Sequence, residues 1–207
     1  MSVTLYYIHD PMCSWCWGFR PTWDALKQAL PGEVSLVNVA GGLARDSDQM
    51  MPVEMQQTIE GYWHTIQAQL GTAFNFDFWR LNTPRRSTYM ACRAAIVAAQ
   101  HGLEDAMINA IQQAYYLQAV NPSDIQVLVD LAAGLGVNAE QFHVDLLSAA
   151  TEAELTRQMA LARRLPIDGF PSLVLEIDQQ VLSIQRDYLS MEVMLAQIHD
   201  AIKQYGR

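Results

Sequence analysis

Cys13-Ser14-Trp15-Cys16 stands between an apolar run, Val3-Thr4-Leu5-Tyr6-Tyr7-Ile8, and a helix-like segment from Phe19 to Leu30. The run reads as a strand, so the two thiols arrive at the start of a helix. Unpaired N–H groups and the positive end of the helix dipole favour a thiolate there. Residues three apart share a helix face, so the two sulfurs can meet in a disulfide. Cys13, at the helix start, reads as the attacking thiol. Cys16, one turn further in, reads as the thiol that resolves a mixed disulfide.

Other uses of a close cysteine pair find less support. A structural zinc site needs four ligands, and beyond this pair the chain offers Cys92 and five histidines without companion spacing. Haem attachment needs a histidine directly after the second cysteine, and Trp17 occupies that place.

Composition narrows the choice further. The 207 residues suit one domain or one domain with a large insertion, and 51% of them are hydrophobic, enough for a real core. Thirteen lysines and arginines against 22 aspartates and glutamates leave a net charge of −9. Such a chain is a poor partner for nucleic acid or an anionic membrane. Strand-like sequence from Val3 gives no secretory signal pattern, and no apolar run suits a membrane span, so a cytoplasmic location is expected. In that compartment three cysteines do not make a disulfide scaffold.

Working outward, Pro21 falls in the first turns of the helix and Pro31-Gly32 stops it. Val34 to Val39 reads as a second, buried strand parallel to the first, ended by Gly41-Gly42. A long helical stretch follows. The spacing of Met55, Ile59, Tyr62, Ile66 and Leu70 predicts a helix over 53–70, and Tyr89, Cys92, Ile96 and Ala99 trace another. Ser123-Asp124-Ile125-Gln126 and Thr151-Glu152-Ala153-Glu154 match capping boxes, and Asn138 is a candidate N-cap. The aromatic stretch from Phe74 to Trp79 has no clear period. Ser172 to Ile177 and Val181 to Ile184 then form a hairpin, and Ser190 caps a final amphipathic helix carrying Met194, Ile198, Ile202 and Tyr205. The order is βαβ, helices, ββα.

That plan, with the thiol pair after the first strand, resembles the thioredoxin fold, and the helical block between its halves resembles the DsbA-like branch. Met12-Cys13-Ser14-Trp15-Cys16-Trp17-Gly18-Phe19, Thr83-Pro84-Arg85-Arg86-Ser87-Thr88-Tyr89 and Asp168-Gly169-Phe170-Pro171-Ser172 are similar to strings of its signal-less, FrnE-like members. The resemblance implies an α/β fold with a thioredoxin-like domain at 1–42 and 166–207 and a helical insertion at 43–165. It implies a thiol–disulfide oxidoreductase or isomerase acting on disulfide- or thiol-containing proteins or peptides. The dithiol is then the redox group itself, with no other cofactor and with glutathione as a candidate cosubstrate. It also implies a cis bond at Pro171, facing Cys13, with the main chain of Phe170 open to a substrate strand.

Around this pair, Trp15, Trp17 and Phe170 are candidates for an apolar rim, although Trp17, inside the helix, also suits the core. Arg85 and Arg86 are candidates to hold carboxylates of glutathione or an acidic substrate. His9 or Asp10 could carry protons to Cys16, while Asp10-Pro11 also suits a plain turn. Cys92 fits buried packing, with a third redox thiol as the sharper alternative. Met50, Met51 and Met55 fit packing. Ser14-Trp15 carries no cation, so the helix terminus must do most of any lowering of the Cys13 pKa, into the range of roughly 3.5–7.5.

Two other functions share these features. Kappa-class glutathione transferases and chromene-carboxylate isomerases resemble this layout but typically carry serine at the first cysteine position. A non-enzymatic chaperone would hold apolar peptides in the helical block.

Overall fold

The computed structural model describes residues 2–206. β1 (Val3–His9) is central in a four-stranded sheet of order β2-β1-β3-β4. It pairs in parallel with β2 (Val34–Ala40) and antiparallel with β3 (Ser172–Ile177). β4 (Gln180–Ile184) closes the hairpin with β3. Between β1 and β2 runs α1 (Ser14–Ala29), and α9 (Met191–Tyr205) ends the chain. The segment from β2 to β3 supplies α2 (Val53–Leu70), α3 (Phe78–Leu81), α4 (Tyr89–Ala99), α5 (Glu104–Tyr116), α6 (Ile125–Gly134), α7 (Ala139–Leu146) and α8 (Ala149–Ala162). The βαβ, helices, ββα order expected is the observed one, and α3 and α5 add helices that the sequence reading did not place.

Strand alternation sorts the sheet into two faces. Val3, Leu5 and Tyr7, with Leu173, Leu175 and Ile177, pack against Phe19, Trp23 and Leu26 of α1 and Met194 and Ile198 of α9. Ile8, Val39 and Val174 face the other way, onto Ala162 at the end of α8. β2 departs from the buried strand expected. It lies at the sheet edge, with one strand neighbour, and Leu36 and Val37 are exposed.

α2 spans the residues its period predicts, but its anchor is Trp63, which together with Ile66 is fully buried, whereas Met55 and Tyr62 are exposed. The aperiodic aromatic stretch explains itself here. Phe74, Phe76, Phe78 and Trp79 surround the Trp63 ring at centroid distances of 5.0–6.0 Å, joined by Tyr115 and Tyr116 of α5. Aromatics that converge on one ring from a loop need no helical spacing. Gly18 in α1 makes room for α2: a Cβ there would sit 2.8 Å from Ile66.

α4 is buried on almost every side, from Ala91 to Ala98. Arg93, inside this run, pairs with Asp46 and Glu152, which satisfies a charge that burial alone would penalise. Two capping boxes are corrected. Ser123 caps nothing in α6; its hydroxyl donates to the Ser87 carbonyl at 2.8 Å. α8 starts at Ala149 with Ser148 as N-cap, accepting from the Thr151 N–H at 3.1 Å, and Thr151 lies within the helix. Asn138 caps α7 as expected, accepting from the Gln141 N–H at 2.9 Å. Ser190 precedes α9, but its hydroxyl donates to Glu192 rather than capping a backbone N–H. Met51 is buried and Met50 exposed, so only part of the expected methionine packing is present.

Candidate active site

The topology itself brings the distant strings together. Because β3 runs antiparallel to β1, Ser172 at the start of β3 pairs with Ile8 near the end of β1. Pro171 and Phe170, just before Ser172, therefore arrive beside the turn that leads from β1 into Cys13. The Phe170–Pro171 bond is cis, as the resemblance implied. The Cys13 thiol points to the Phe170 carbonyl at 3.7 Å. Asp168 and Arg186 pair across this loop at 2.6 Å, and the Ser172 hydroxyl donates to the Gly169 carbonyl at 2.7 Å, which fixes the approach to the cis bond.

α1 begins at Ser14, earlier than the Phe19 start read from the sequence, with Cys13 as the preceding N-cap residue. All three cysteines are free thiols. Cys13 is 7% exposed and Cys16 fully buried, so only Cys13 has access to solvent. The Cys13 pKa is lowered from its ordinary value. The Cys16 thiol contributes most by hydrogen bonding to the thiolate, burial opposes it, and the N–H groups of Cys16 and Trp15 at the helix start add to the lowering. Burial and the neighbouring Cys13 sulfur push Cys16 well up. The two pKa values are thus driven apart, one thiol towards the anion and the other away from it.

Beside Cys13 lies a cleft of about 200 Å³. Trp15, Ile59, Tyr62, Tyr115 and Phe170 form its apolar walls, and Arg86 is the one charged side chain lining it among the described residues. The two arginines of the Thr83–Tyr89 string separate here. Arg86 reaches the cleft. Arg85 is turned away from it, its guanidinium held by the Ser123 carbonyl at 2.9 Å and by the Asp124 carboxylate. Trp15 packs edge-on to Tyr188 at 5.4 Å while lining the cleft. Trp17 instead joins the helical core, stacking on Tyr116 at 5.6 Å and donating its indole N–H to the Ala73 carbonyl at 3.0 Å.

Gly41, Tyr7, Tyr62 and Tyr115 are not legible as functional in the sequence, whereas Asp10 is a candidate proton carrier there. Gly41 lets the Phe170 ring lie directly on the backbone; a Cβ there would overlap the ring. Tyr115 and Tyr62 line the cleft from two different helices. Tyr7, buried under the pair, has its phenol pushed well up by burial and then by the charges of Cys16 and Cys13. Asp10 is fully buried and does more than make a turn, accepting hydrogen bonds from Met12, Leu43, Thr88 and Cys92. Burial pushes the Cys92 thiol well up.

His9 is buried and stacked on Tyr7 at 4.9 Å, with Nδ1 lacking a partner. Burial, then the nearby Arg20 charge, lowers its pKa from 6.5 to about 4. The unfolded chain takes up this proton below about 6.5 and the folded chain only near 4, so stability falls with pH across that window, by about 3 kcal/mol in all. His9→Phe keeps the stacking and is expected to flatten this part of the acid-unfolding curve. Equal acid slopes by urea titration at pH 7, 5.5 and 4 would contradict that. A group that titrates this low is neutral at pH 7 and a weak proton acceptor for Cys16.

Known proteins share this fold. A disulfide isomerase candidate from Nitrosomonas europaea superposes with a TM-score of 0.84 at 26% identity, over 99% of this chain and 98% of that one. The cytosolic disulfide reductase DsbM from Pseudomonas aeruginosa, whose structure has also been solved with GSH, gives 0.81 at 24% identity over 97% and 99%. Among curated proteins, the ClpXP adapter protein SpxH of Bacillus subtilis is 23% identical over 83% of this chain. The chain spans 57% of that relative's length and 63% of its Halalkalibacterium halodurans counterpart. Residues 3–198 match the family described as DSBA-like thioredoxin domain. The chain therefore belongs to the DSBA-like thioredoxin domain family.

Proposed function

We propose that this chain is a thiol–disulfide oxidoreductase in which Cys13 and Cys16 are the redox couple. The observation that carries the reading is the asymmetry of the pair. The thiol with access to the cleft is the one driven towards the thiolate, and its fully buried partner is held protonated one turn away. In the reducing direction the Cys13 thiolate attacks one sulfur of a substrate disulfide. That S–S bond breaks, a mixed disulfide forms, and the departing substrate thiolate takes up a proton. Cys16 then gives up its proton and attacks the Cys13 sulfur, releasing the second substrate thiolate. Two electrons have passed to the substrate, whose two thiolates take up one proton from Cys16 and one from solvent, and Cys13–Cys16 is left as a disulfide. The reverse sequence oxidises a dithiol.

The surroundings suit an extended segment around a disulfide. Trp15 and Phe170 give it apolar contact, and Arg86 attracts a carboxylate on an acidic peptide or on glutathione. The GSH complex of DsbM supports glutathione as a cosubstrate, and that neighbour's description as cytosolic supports the same compartment for this chain. No helix among the described residues is long and apolar enough to cross a membrane.

Cys16→Ser tests the assignment of roles. With the resolving thiol gone, exposure to a disulfide substrate should accumulate a covalent adduct, mapped by mass spectrometry to Cys13. An adduct on Cys92, or none, would overturn the assignment.

The SpxH relatives, named as adapters, favour a second reading in which the chain works by binding a partner without exchanging a disulfide. That reading requires the Cys13→Ala/Cys16→Ala protein to keep its full effect on the partner. The redox reading requires the effect to be lost.

A further inference from the structure

We propose that Asp10 is a positioning residue whose buried carboxylate biases the Cys13–Cys16 couple towards the disulfide, making the protein a better reductant. The inference rests on the dithiol reading given above and adds to it a group that sets the direction of exchange.

The geometry ties Asp10 to the pair through its backbone and its side chain. Its carbonyl accepts the Cys13 N–H at 3.0 Å, closing the turn that presents the nucleophile. One carboxylate oxygen accepts the Met12 N–H at 2.8 Å. The other accepts the Leu43 N–H at 2.8 Å, the Thr88 hydroxyl at 2.6 Å and the Cys92 thiol at 3.4 Å. The Thr88 oxygen also accepts the Ala44 N–H at 3.0 Å, and of the two acceptors within reach of its proton Asp10 is the nearer, at 2.6 Å against 3.4 Å for the Ala44 carbonyl. Backbone N–H groups can only donate. Among the described residues four donors and no acceptor bond this side chain; they favour the anion and counter the burial that still holds its pKa above the ordinary carboxylate value.

The cation on the cleft side is Arg86, which lines the cleft beside Cys13. Asp10 takes part in no ion pair among the described residues, and Arg93, from the adjoining α4, is engaged by Asp46 and Glu152. The other titratable groups that feel the carboxylate are Cys92 on α4 and Tyr115 and Tyr116 on α5, whose ionisation it opposes. Its charge likewise opposes the anion on Cys13 and on Cys16, while the Asp10 backbone, which side-chain variants keep, favours the Cys16 anion by a hydrogen bond. A charge that disfavours the thiolate destabilises the dithiol relative to the disulfide, in which neither sulfur is charged. The reduced protein therefore gives up its electrons more readily.

Asp10→Asn removes the charge at nearly constant shape. The amide oxygen can take the place that receives three donors, so only the contact to Met12 is lost. Two quantities should move together: the Cys13 pKa, followed by thiolate absorbance, should fall. The equilibrium constant against glutathione should shift about tenfold towards the dithiol, about 30 mV for a two-electron couple. Asp10→Ser, which removes the charge with a smaller side chain, should shift both in the same direction and guards against a folding defect peculiar to Asn. Cys92→Ala deletes one donor but keeps the charge, and should leave the equilibrium constant within about twofold. Unchanged values in the Asp10 variants, or an equal shift in Cys92→Ala, would overturn the proposal while the wild-type protein still exchanges with glutathione. A wild-type protein that forms no Cys13–Cys16 disulfide in the same buffers would overturn the dithiol reading and this proposal with it.

Discussion

Cys13→Ser is expected to lower the rate constant for insulin-disulfide reduction by at least about a thousandfold, to the level of the buffer thiol alone. Cys13 combines access with activation, and its partner has neither: Cys16 is fully buried and its pKa is raised. A serine hydroxyl at the same place would need a base. His9, the neighbouring histidine, is buried beside Tyr7, and its pKa of about 4 means it has little affinity for a proton at neutral pH. Serine is also the residue typical of the glutathione-dependent isomerases that this layout resembles. The same variant therefore separates the two chemistries: full turnover in Cys13→Ser would remove the redox assignment.

The largest expected stability effect lies in the helical block. Trp63→Ala should cost about 3–5 kcal/mol, the range for deleting a large buried aromatic. Trp63 has no exposure, and its ring is packed by Phe74 and Trp79 at 5.0 Å and by Tyr116 and Tyr115 at 5.3 and 5.4 Å. Neighbours drawn from α2, α3, α5 and the loop before α3 cannot all close on the space a tryptophan leaves. For a chain of this size that corresponds to a fall in Tm of roughly 6–20 °C. Trp63→Phe, which keeps an aromatic in place, should cost much less. A shift below about 2 °C for Trp63→Ala would mean that the block is not organised around this residue. Tyr115 links this core to the cleft, so the variant should also weaken substrate binding before it abolishes exchange.

Much of this architecture is legible in the sequence because its signals are local. The strands carry short apolar runs, the hairpin has its turn, and the thiol spacing is a property of one helical turn. α2 and the Asn138 cap follow equally local rules. What escapes is set by long-range partners. Ser123 and Thr151 sit in capping patterns, yet their hydroxyls serve the Ser87 and Asp145 carbonyls. α5 is the exception, since its stripe of Met107, Ile108, Ile111 and Tyr115 is itself a local signal. Arg85 and Arg86 are equivalent as letters, and only the placement of α6 sends one to Asp124 and leaves the other in the cleft. Asp10 is the clearest case. Beside a proline it reads as a turn residue, but three of its hydrogen-bond donors come from 33, 78 and 82 residues away. The thiol pair is thus visible in the sequence, whereas the charge that opposes its thiolate emerges only once strand and helices are assembled.

Equilibration of the wild-type protein in buffers of graded reduced and oxidised glutathione, followed by acid quenching, alkylation and peptide mapping, tests the central claim most directly. The expected result is one two-electron transition in which Cys13 and Cys16 become joined while Cys92 remains a free thiol throughout. A pair that stays reduced in fully oxidised glutathione, or a disulfide that recruits Cys92, would contradict it.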